Sequence, residues 1–335
     1  MSSCFLYRRR EFITLLGGAA AAWPSLVQAQ PTDRRRRVGV LQAQPESDTD
    51  FRSWRMLFAA RLRELGWTDG ENLRIDYRYG AGEAASIAPV AKELINLRPD
   101  ALFAITALSA VVLRQYTLTI PIIFVQVGDP VAFGLVTNLA RPEGNTTGFT
   151  SFNYVIGGKW VETLKDTVPG LTWAAIFFEA GNPSSTQYIT AIEAAAAKLN
   201  VRLIPVPVQS LSDIDSAFAA FADVTSGAVI AIPVGTVVLH RKKIITLAAQ
   251  HRLPGMYPYR FFAAEGGLMS YGSDVGQQYR NAASYIDRIL RGAKPKDLPV
   301  QQPTKFEFVI NLQTARALGI TIPPTLLARA DEVIE

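Results

Sequence analysis

The chain has 335 residues, 49% of them hydrophobic and 19% charged, with a formal net charge of +5. That balance excludes long disorder, and the length points to two domains of roughly 100 to 150 residues each. The only cysteine is Cys4, so a chain trimmed of its first residues has no thiol for disulfides, thiolate metal sites, iron–sulfur clusters or a cysteine nucleophile.

Arg8, Arg9 and Arg10 lead into Glu11-Phe12-Ile13, an apolar stretch over 14–23 and the small-x-small signal Val27-Gln28-Ala29. Residues 1–29 read as an export signal peptide, and Arg9-Arg10-x-Phe12-Ile13 resembles a twin-arginine signal. A retained membrane anchor is the alternative, but the apolar core is about ten residues against the ~20 that a spanning helix needs. Cleavage near Ala29 and a periplasmic mature chain of 306 residues, charge +3, are the expectations. Cys4 precedes the apolar core, which rules out the lipid-bearing cysteine of a lipoprotein. The basic run 34–37 reads as a solvated, frayed N-terminus rather than a nucleic-acid patch.

From residue 37 short apolar or β-branched runs alternate with amphipathic ones. Strands are expected at 38–42, 73–79, 101–106 and 121–127, with helices at 50–65, 84–97 and 109–115 between them. A second series follows Gly144-Asn145: strands at 147–151, 172–179, 201–208, 227–233 and 255–259, and helices at 154–166, 186–199, 214–221 and 237–250. Two βαβ series predict an α/β protein of two doubly wound parallel-sheet lobes. The C-terminal part, extended at 268–271 and 307–311 and helical at 273–291 and 312–318, is too small for a third domain. It is expected to complete both lobes, with the chain crossing between them at a hinge. The expected division is 36–149 plus 273–300 for the first lobe and 150–272 plus 301–335 for the second.

Catalytic signatures are missing. Ala43-Gln44-Pro45-Glu46 stands in the first βα turn where a dinucleotide needs glycines, and Trp160 follows Gly158-Lys159 where a phosphate loop needs Ser or Thr. His240 and His251 lie about 16 Å apart along one predicted helix, too far to share a metal, and are assigned to its surface and end. Asp213 and Asp215 flank a helix start and read as capping groups; Asp331-Glu332 reads as a solvated end. No catalytic residue, metal ligand or cofactor is expected.

Ligands of open α/β sheets bind beyond the C-terminal strand ends. The polar residues placed there are Gln42, Thr106, Ser109 and Asp129 in the first series, and in the second the segments 179–184, 233–236 and 257–260, from which Asn182, Ser184, Thr236 and Tyr257 are singled out, joined by Tyr271. Thr106 and Ser109 open a helix, where hydroxyls and free N–H groups suit a carboxylate. Asp129 suits an ammonium, and Tyr257 or Tyr271 an apolar or cationic group. Each is also compatible with an ordinary turn or core role.

Several segments resemble the ABC-transporter substrate-binding family that includes tryptophan/tyrosine-type binding proteins. They are Leu65-Gly66-Trp67 through Ile75-Asp76-Tyr77, Gly128-Asp129-Pro130, Leu139-Ala140-Arg141-Pro142, Glu265 to Gly272, Gly292-Ala293-Lys294-Pro295 and Gln302 to Glu307. The resemblance implies a periplasmic-binding-protein fold of the first type with three crossovers, closing over a small ligand such as an amino acid or aromatic acid. It also implies docking onto an ABC permease with its ATPase, with no nucleic-acid partner and membrane contact only through the permease. Members of the family often carry Gly-Thr-Pro-Ala near the third strand, where this chain has Thr106-Ala107-Leu108-Ser109. The rival reading is an exported hydrolase or isomerase on the same two-lobed plan.

Overall fold

The computed structural model describes residues 35–335 apart from 81–83, 152–153 and 222–225. The signal-peptide reading of 1–29 and the first arginine of the basic run lie outside the described residues.

Five strands form the first sheet: β1 (Arg36–Gln42), β2 (Leu73–Tyr79), β3 (Ala101–Ile105), β4 (Ile122–Val127) and β5 (Thr146–Thr150), in the order β2-β1-β3-β4-β5, all parallel. Helices α1 (Thr49–Glu64), α2 (Ala84–Asn96) and α3 (Ala107–Tyr116) are its crossovers. Every residue of β3 is buried, as expected for a strand covered on both faces. Phe58 of α1 stacks on Phe103 of β3 at 4.8 Å.

The second sheet takes β6 (Trp173–Phe178), β7 (Arg202–Pro207), β8 (Gly227–Ala231), β9 (Gly255–Tyr257), β10 (Met269–Ser273), β11 (Phe306–Asn311) and β12 (Glu332–Ile334), in the order β12-β11-β10-β9-β8-β6-β7. Around it lie α4 (Ile156–Thr167), α5 (Pro183–Lys198), α6 (Leu211–Ala220), α7 (Gly235–Leu239), α8 (Arg241–Gln250) and α9 (Arg260–Ala264). The sheet is not wholly parallel, because β11 runs antiparallel to β10. Two doubly wound lobes are thus present, with one reversed strand in the second.

The chain crosses between the lobes three times: after β5, after β10 into α10 (Val275–Leu290), and from the turn at Pro295–Asp297 into β11. Helix α10 returns to the first lobe and packs on α1, β3, β4 and β5. Among its buried positions, Val275, Gln278, Tyr279, Ala282, Ala283, Ile286, Ile289 and Leu290 recur at helical spacing, and Asp274 caps its start by accepting from the Gln277 N–H at 2.9 Å. The first and third crossings are joined, since the Thr150 N–H donates to the Gln301 carbonyl at 2.9 Å and the Gln301 N–H to that of Gly148 at 3.0 Å. Helices α11 (Leu312–Leu318) and α12 (Pro324–Leu327) complete the second lobe.

Four local expectations are corrected. Arg36 and Arg37 are not frayed: they begin β1, pairing with Asp100 at 3.0 Å and Asp76 at 3.2 Å. The end of the chain is not simply solvated, because Asp331 accepts from the Phe308 N–H at 2.8 Å and leads into edge strand β12, where Glu332 pairs with Arg260 at 2.6 Å. The single helix expected over 237–250 breaks at His240 into α7 and α8. Ser273 ends a strand instead of opening a helix. Asp213 does cap α6, in a reciprocal box with Ser210, and backbone N–H groups of Gln209 and Ser210 hold its carboxyl below the usual range. Asp215 pairs with Lys243 at 2.7 Å.

Candidate ligand cavity

A cavity of about 210 Å³ lies where the C-terminal ends of strands from both sheets face each other. Its first-lobe wall is Gln44 beyond β1, Thr106, Ala107, Leu108 and Val111 at the start of α3, and Gln126, Gly128 and Phe133 at and beyond β4. Opposite lie Glu179, Asn182 and Ser184 after β6, the segment 233–236 with Val238 after β8, and Tyr259 after β9.

The first-lobe wall is strained and under-bonded. Thr106 has φ 80° and ψ 162° and caps no N–H with its side chain; this backbone region is essentially reserved for glycine and costs of order 1–3 kcal/mol elsewhere. Gln126 also has positive φ, 56°. The Gln44 Oε1, Thr106 Oγ1 and Ser109 Oγ atoms are buried without a hydrogen-bond partner in the protein, which native structures rarely tolerate. The first N–H groups of α3 add donors that a helix cannot satisfy internally.

Across the gap Glu179, Asn182 and Thr236 are bonded to one another, while the Ser184 Oγ is buried without a hydrogen-bond partner in the protein. Glu179 Oε2 accepts from Thr236 Oγ1 at 3.3 Å and from Asn182 Nδ2 at 3.4 Å, while Asn182 Oδ1 accepts from the Ser184 N–H at 3.0 Å and caps α5. Among the described residues of the cavity wall, Glu179 alone is charged. Leu108, Val111, Phe133, Pro233, Val234, Val238 and Tyr259 give the wall a large apolar area.

The lobes touch around this space. A Cβ on Gly128 would lie 2.5 Å from Ser184 Oγ, so only glycine permits that approach. Asp129 sits by Tyr154 of the second lobe; burial, then that carboxylate, push the tyrosine hydroxyl up. Trp54 of α1 meets Phe261 of α9 edge-on at 5.4 Å. Arg241, 5% exposed, reaches from α8 to Asp48 at 2.9 Å and Asp50 at 3.1 Å at the head of α1, and to Glu265 of its own lobe at 3.0 Å. Burial foremost raises the Asp50 pKa, with Asp48 and Glu265 adding to it against the opposing pull of Arg241.

Of the residues singled out from sequence, Thr106, Asn182, Ser184 and Thr236 line this cavity. Gln42 and Ser109, 1% and 0% exposed, lie outside its lining, and Gln42 donates to the Gln44 and Pro45 carbonyls at 3.4 Å. Asp129 is turned to its own loop, accepting from the Val131 and Ala132 N–H groups at 3.0 and 2.9 Å. Tyr257 and Tyr271 are not at the cavity. The first is stacked on Phe262 at 5.2 Å between Gly255 and Gly267 in the second-lobe core, because β9 ends there and the pleat sends its side chain inward. The second packs on Phe306 and Phe308, and its carbonyl accepts from Trp160 Nε1 at 2.8 Å. Glu179 and Tyr259 fall within the strand-end segments 179–184 and 257–260 expected from sequence, though neither was singled out, while Gln44 and Gln126 were missed. Gln126 was the most legible, as a lone amide in an otherwise apolar strand.

A family model described as ABC transporter substrate binding protein matches residues 54–334. A tyrosine-binding protein of Clostridioides difficile is 24% identical over 264 residues, 78% of this chain and 75% of that protein. Two solved structures each superpose with TM-score 0.83, covering 90% of this chain and 100% of the other. One is a conserved domain protein from Vibrio cholerae at 29% identity, the other an ABC domain in complex with L-Trp from Streptococcus pneumonia at 25%. The chain belongs to the ABC transporter substrate binding protein family, whose fold of two α/β lobes it shares.

Proposed function

We propose that this substrate-binding protein is the periplasmic solute receptor of an ABC importer, exported by the leader at 1–29, and that it holds an amino acid or aromatic acid in the cavity between its lobes. The observation that carries the reading is the chemical asymmetry of the two walls. The partnerless oxygens of Gln44 and Thr106 and the start of α3 face the carboxylate of Glu179 across a largely apolar gap. An α-carboxylate suits the helix start, an α-ammonium suits Glu179, and an aromatic or aliphatic side chain suits Phe133, Val111 and Tyr259. The tyrosine-binding relative and the L-Trp complex support the same class.

On this reading the lobes divide at 36–149 plus 273–300 and 150–272 plus 301–335, and Thr106, Asn182, Ser184 and Thr236 are the polar contacts from the original set. Gln42 and Ser109 support the wall from behind, and Asp129 sets the interlobe approach of Gly128. Binding favours the closed arrangement of the lobes, which the permease and its ATPase then recognise. The described lining holds no histidine, lysine or cysteine, and the receptor is favoured over the hydrolase or isomerase.

Calorimetry with L-tyrosine, L-tryptophan and their des-amino acids tests the assignment. One-to-one binding of an amino acid, weakened at least tenfold without the amino group and by Glu179→Gln, is expected. Equal binding of the des-amino acids, or conversion of any ligand to product, overturns it.

A further inference from the structure

Gln126 is where β4 departs from its ladder. The register with β5 shifts between Phe124 and Val127, and the positive φ of Gln126 belongs to this bulge, which turns its N–H away from the neighbouring strand. That donor is taken by a residue distant in sequence, Gln278 of α10, whose Oε1 accepts it at 3.1 Å. The other end of the same amide is also engaged: Gln278 Nε2 donates to Ser273 Oγ at 3.0 Å. Gln278 is 5% exposed and Ser273 4%, so both side chains are largely withdrawn from bulk solvent.

The two ends of this amide lie in different parts of the machine. Ser273 is the last residue of β10 in the second sheet, and the chain leaves it immediately for the first lobe. Gln126 belongs to the first sheet and lines the cavity, whereas Gln278 does not reach the cavity. A change of backbone angle at the crossover moves Ser273 relative to α10, and a planar amide cannot follow one partner without tilting against the other.

We propose that Gln278 is a positioning residue that couples the second crossover to the cavity wall, holding the Gln126 backbone in its bulged conformation when the crossover has the geometry seen here. The consequence for ligand affinity rests on the cavity being the ligand site; the coupling itself does not.

Amide hydrogen exchange on the unliganded full chain tests the coupling. Gln278→Met keeps length and apolar volume but loses both bonds, and should accelerate exchange at Gln126 roughly tenfold while helix amides in both lobes are unchanged. Gln278→Glu can accept from the Gln126 N–H and from the Ser273 hydroxyl, and should remain slow. Ser273→Ala frees the far end of the amide and should accelerate Gln126 about threefold or more. Unchanged exchange at Gln126 in Gln278→Met, or in Ser273→Ala, overturns the proposal.

L-tryptophan and L-tyrosine titrations then read the effect on binding. Gln278→Met should weaken affinity about tenfold, and by less than half as much in free energy when Gln126→Gly is also present, since glycine takes the bulged conformation without a clamp. The same loss in both backgrounds counts against coupling through Gln126. If neither amino acid binds the unaltered chain, the ligand assignment fails and the exchange results still decide the role of Gln278.

Discussion

The two walls of the cavity stand at equivalent places, the C-terminal ends of mainly parallel strands, yet they hold their polar atoms differently. The first-lobe wall keeps two buried oxygens without partners, those of Gln44 and Thr106, and two non-glycine residues at positive φ, whereas on the second-lobe wall Ser184 Oγ alone is buried and unpartnered. On the second-lobe wall Glu179, Asn182 and Thr236 are bonded among themselves, and Asn182 serves its own helix. Unused bonding capacity and backbone strain collect where a protein is pre-organised for something else to complete it. The bonds among Glu179, Asn182 and Thr236 lie within one wall and survive a change in its distance from the other.

The harshest way to break this comparison is to remove what joins the halves. Arg241→Ala leaves Asp48, Asp50 and Glu265 facing one another. The expected loss is about 3 kcal/mol, the low end for stripping one partner from a buried ion cluster because two of the acids keep some solvent. Thermal unfolding and an expanded small-angle scattering profile should both register it. Gly128→Leu acts next in order: its first side-chain carbon would intrude on Ser184, at roughly 1–3 kcal/mol of overpacking if the lobes stay together. Affinity for the ligand should fall at least tenfold in calorimetry, with the fold otherwise intact by circular dichroism.

Thr106 sharpens the comparison on its own wall. Thr106→Gly relieves backbone strain of about 1–3 kcal/mol less the chain entropy of glycine, about 0.5–1 kcal/mol, so the melting temperature should rise. Thr106→Ala should not raise it, and both variants should bind ligand more weakly for want of the hydroxyl. The smallest effect is expected at Asp50, raised chiefly by burial. A raised carboxylate contributes stability that is complete below its ordinary range and is lost as pH rises through the raised value. Mild acidification therefore favours the folded form at this residue. Asp50→Asn should flatten that slope of melting temperature against pH and change stability by less than ~1 kcal/mol at neutral pH.

Much of the fold was legible because each strand carried its own period and each helix its own stop. Residues 73–79 and 312–318 were bounded as observed, the first by alternation and the second by Gly319, which takes the left-handed C-cap. The break at His240 was not legible, because nothing local distinguishes it; it goes with the aim of Arg241 at acids nearly two hundred residues away. The extended run at 307–311 was expected, but the reversed direction of β11 and the edge strand β12 were missed for the same reason, since direction and pairing are set by partners outside the segment.

Of the cavity, its location at strand ends could be foreseen, and four of nine chosen side chains line it. The misses share a cause. Tyr257 and Tyr259 differ by two positions, and which one faces the gap depends on where β9 stops, a tertiary fact. Thr106 was chosen for its hydroxyl, while its backbone conformation, unusual for a β-branched residue, could not be read from the letter T.

The hydrogen bonds that lace the first and third crossings, between Thr150, Gly148 and Gln301, bear on how the halves can travel. Two independent tethers would let one half slide, tilt or swing sideways against the other. Ribbons stitched edge to edge behave as a single leaf spring, stiff within its plane and compliant only out of it. If the lobes move as the receptor reading proposes, that strip should confine them to flexing and twisting across it, so the mouth should part along one repeatable arc.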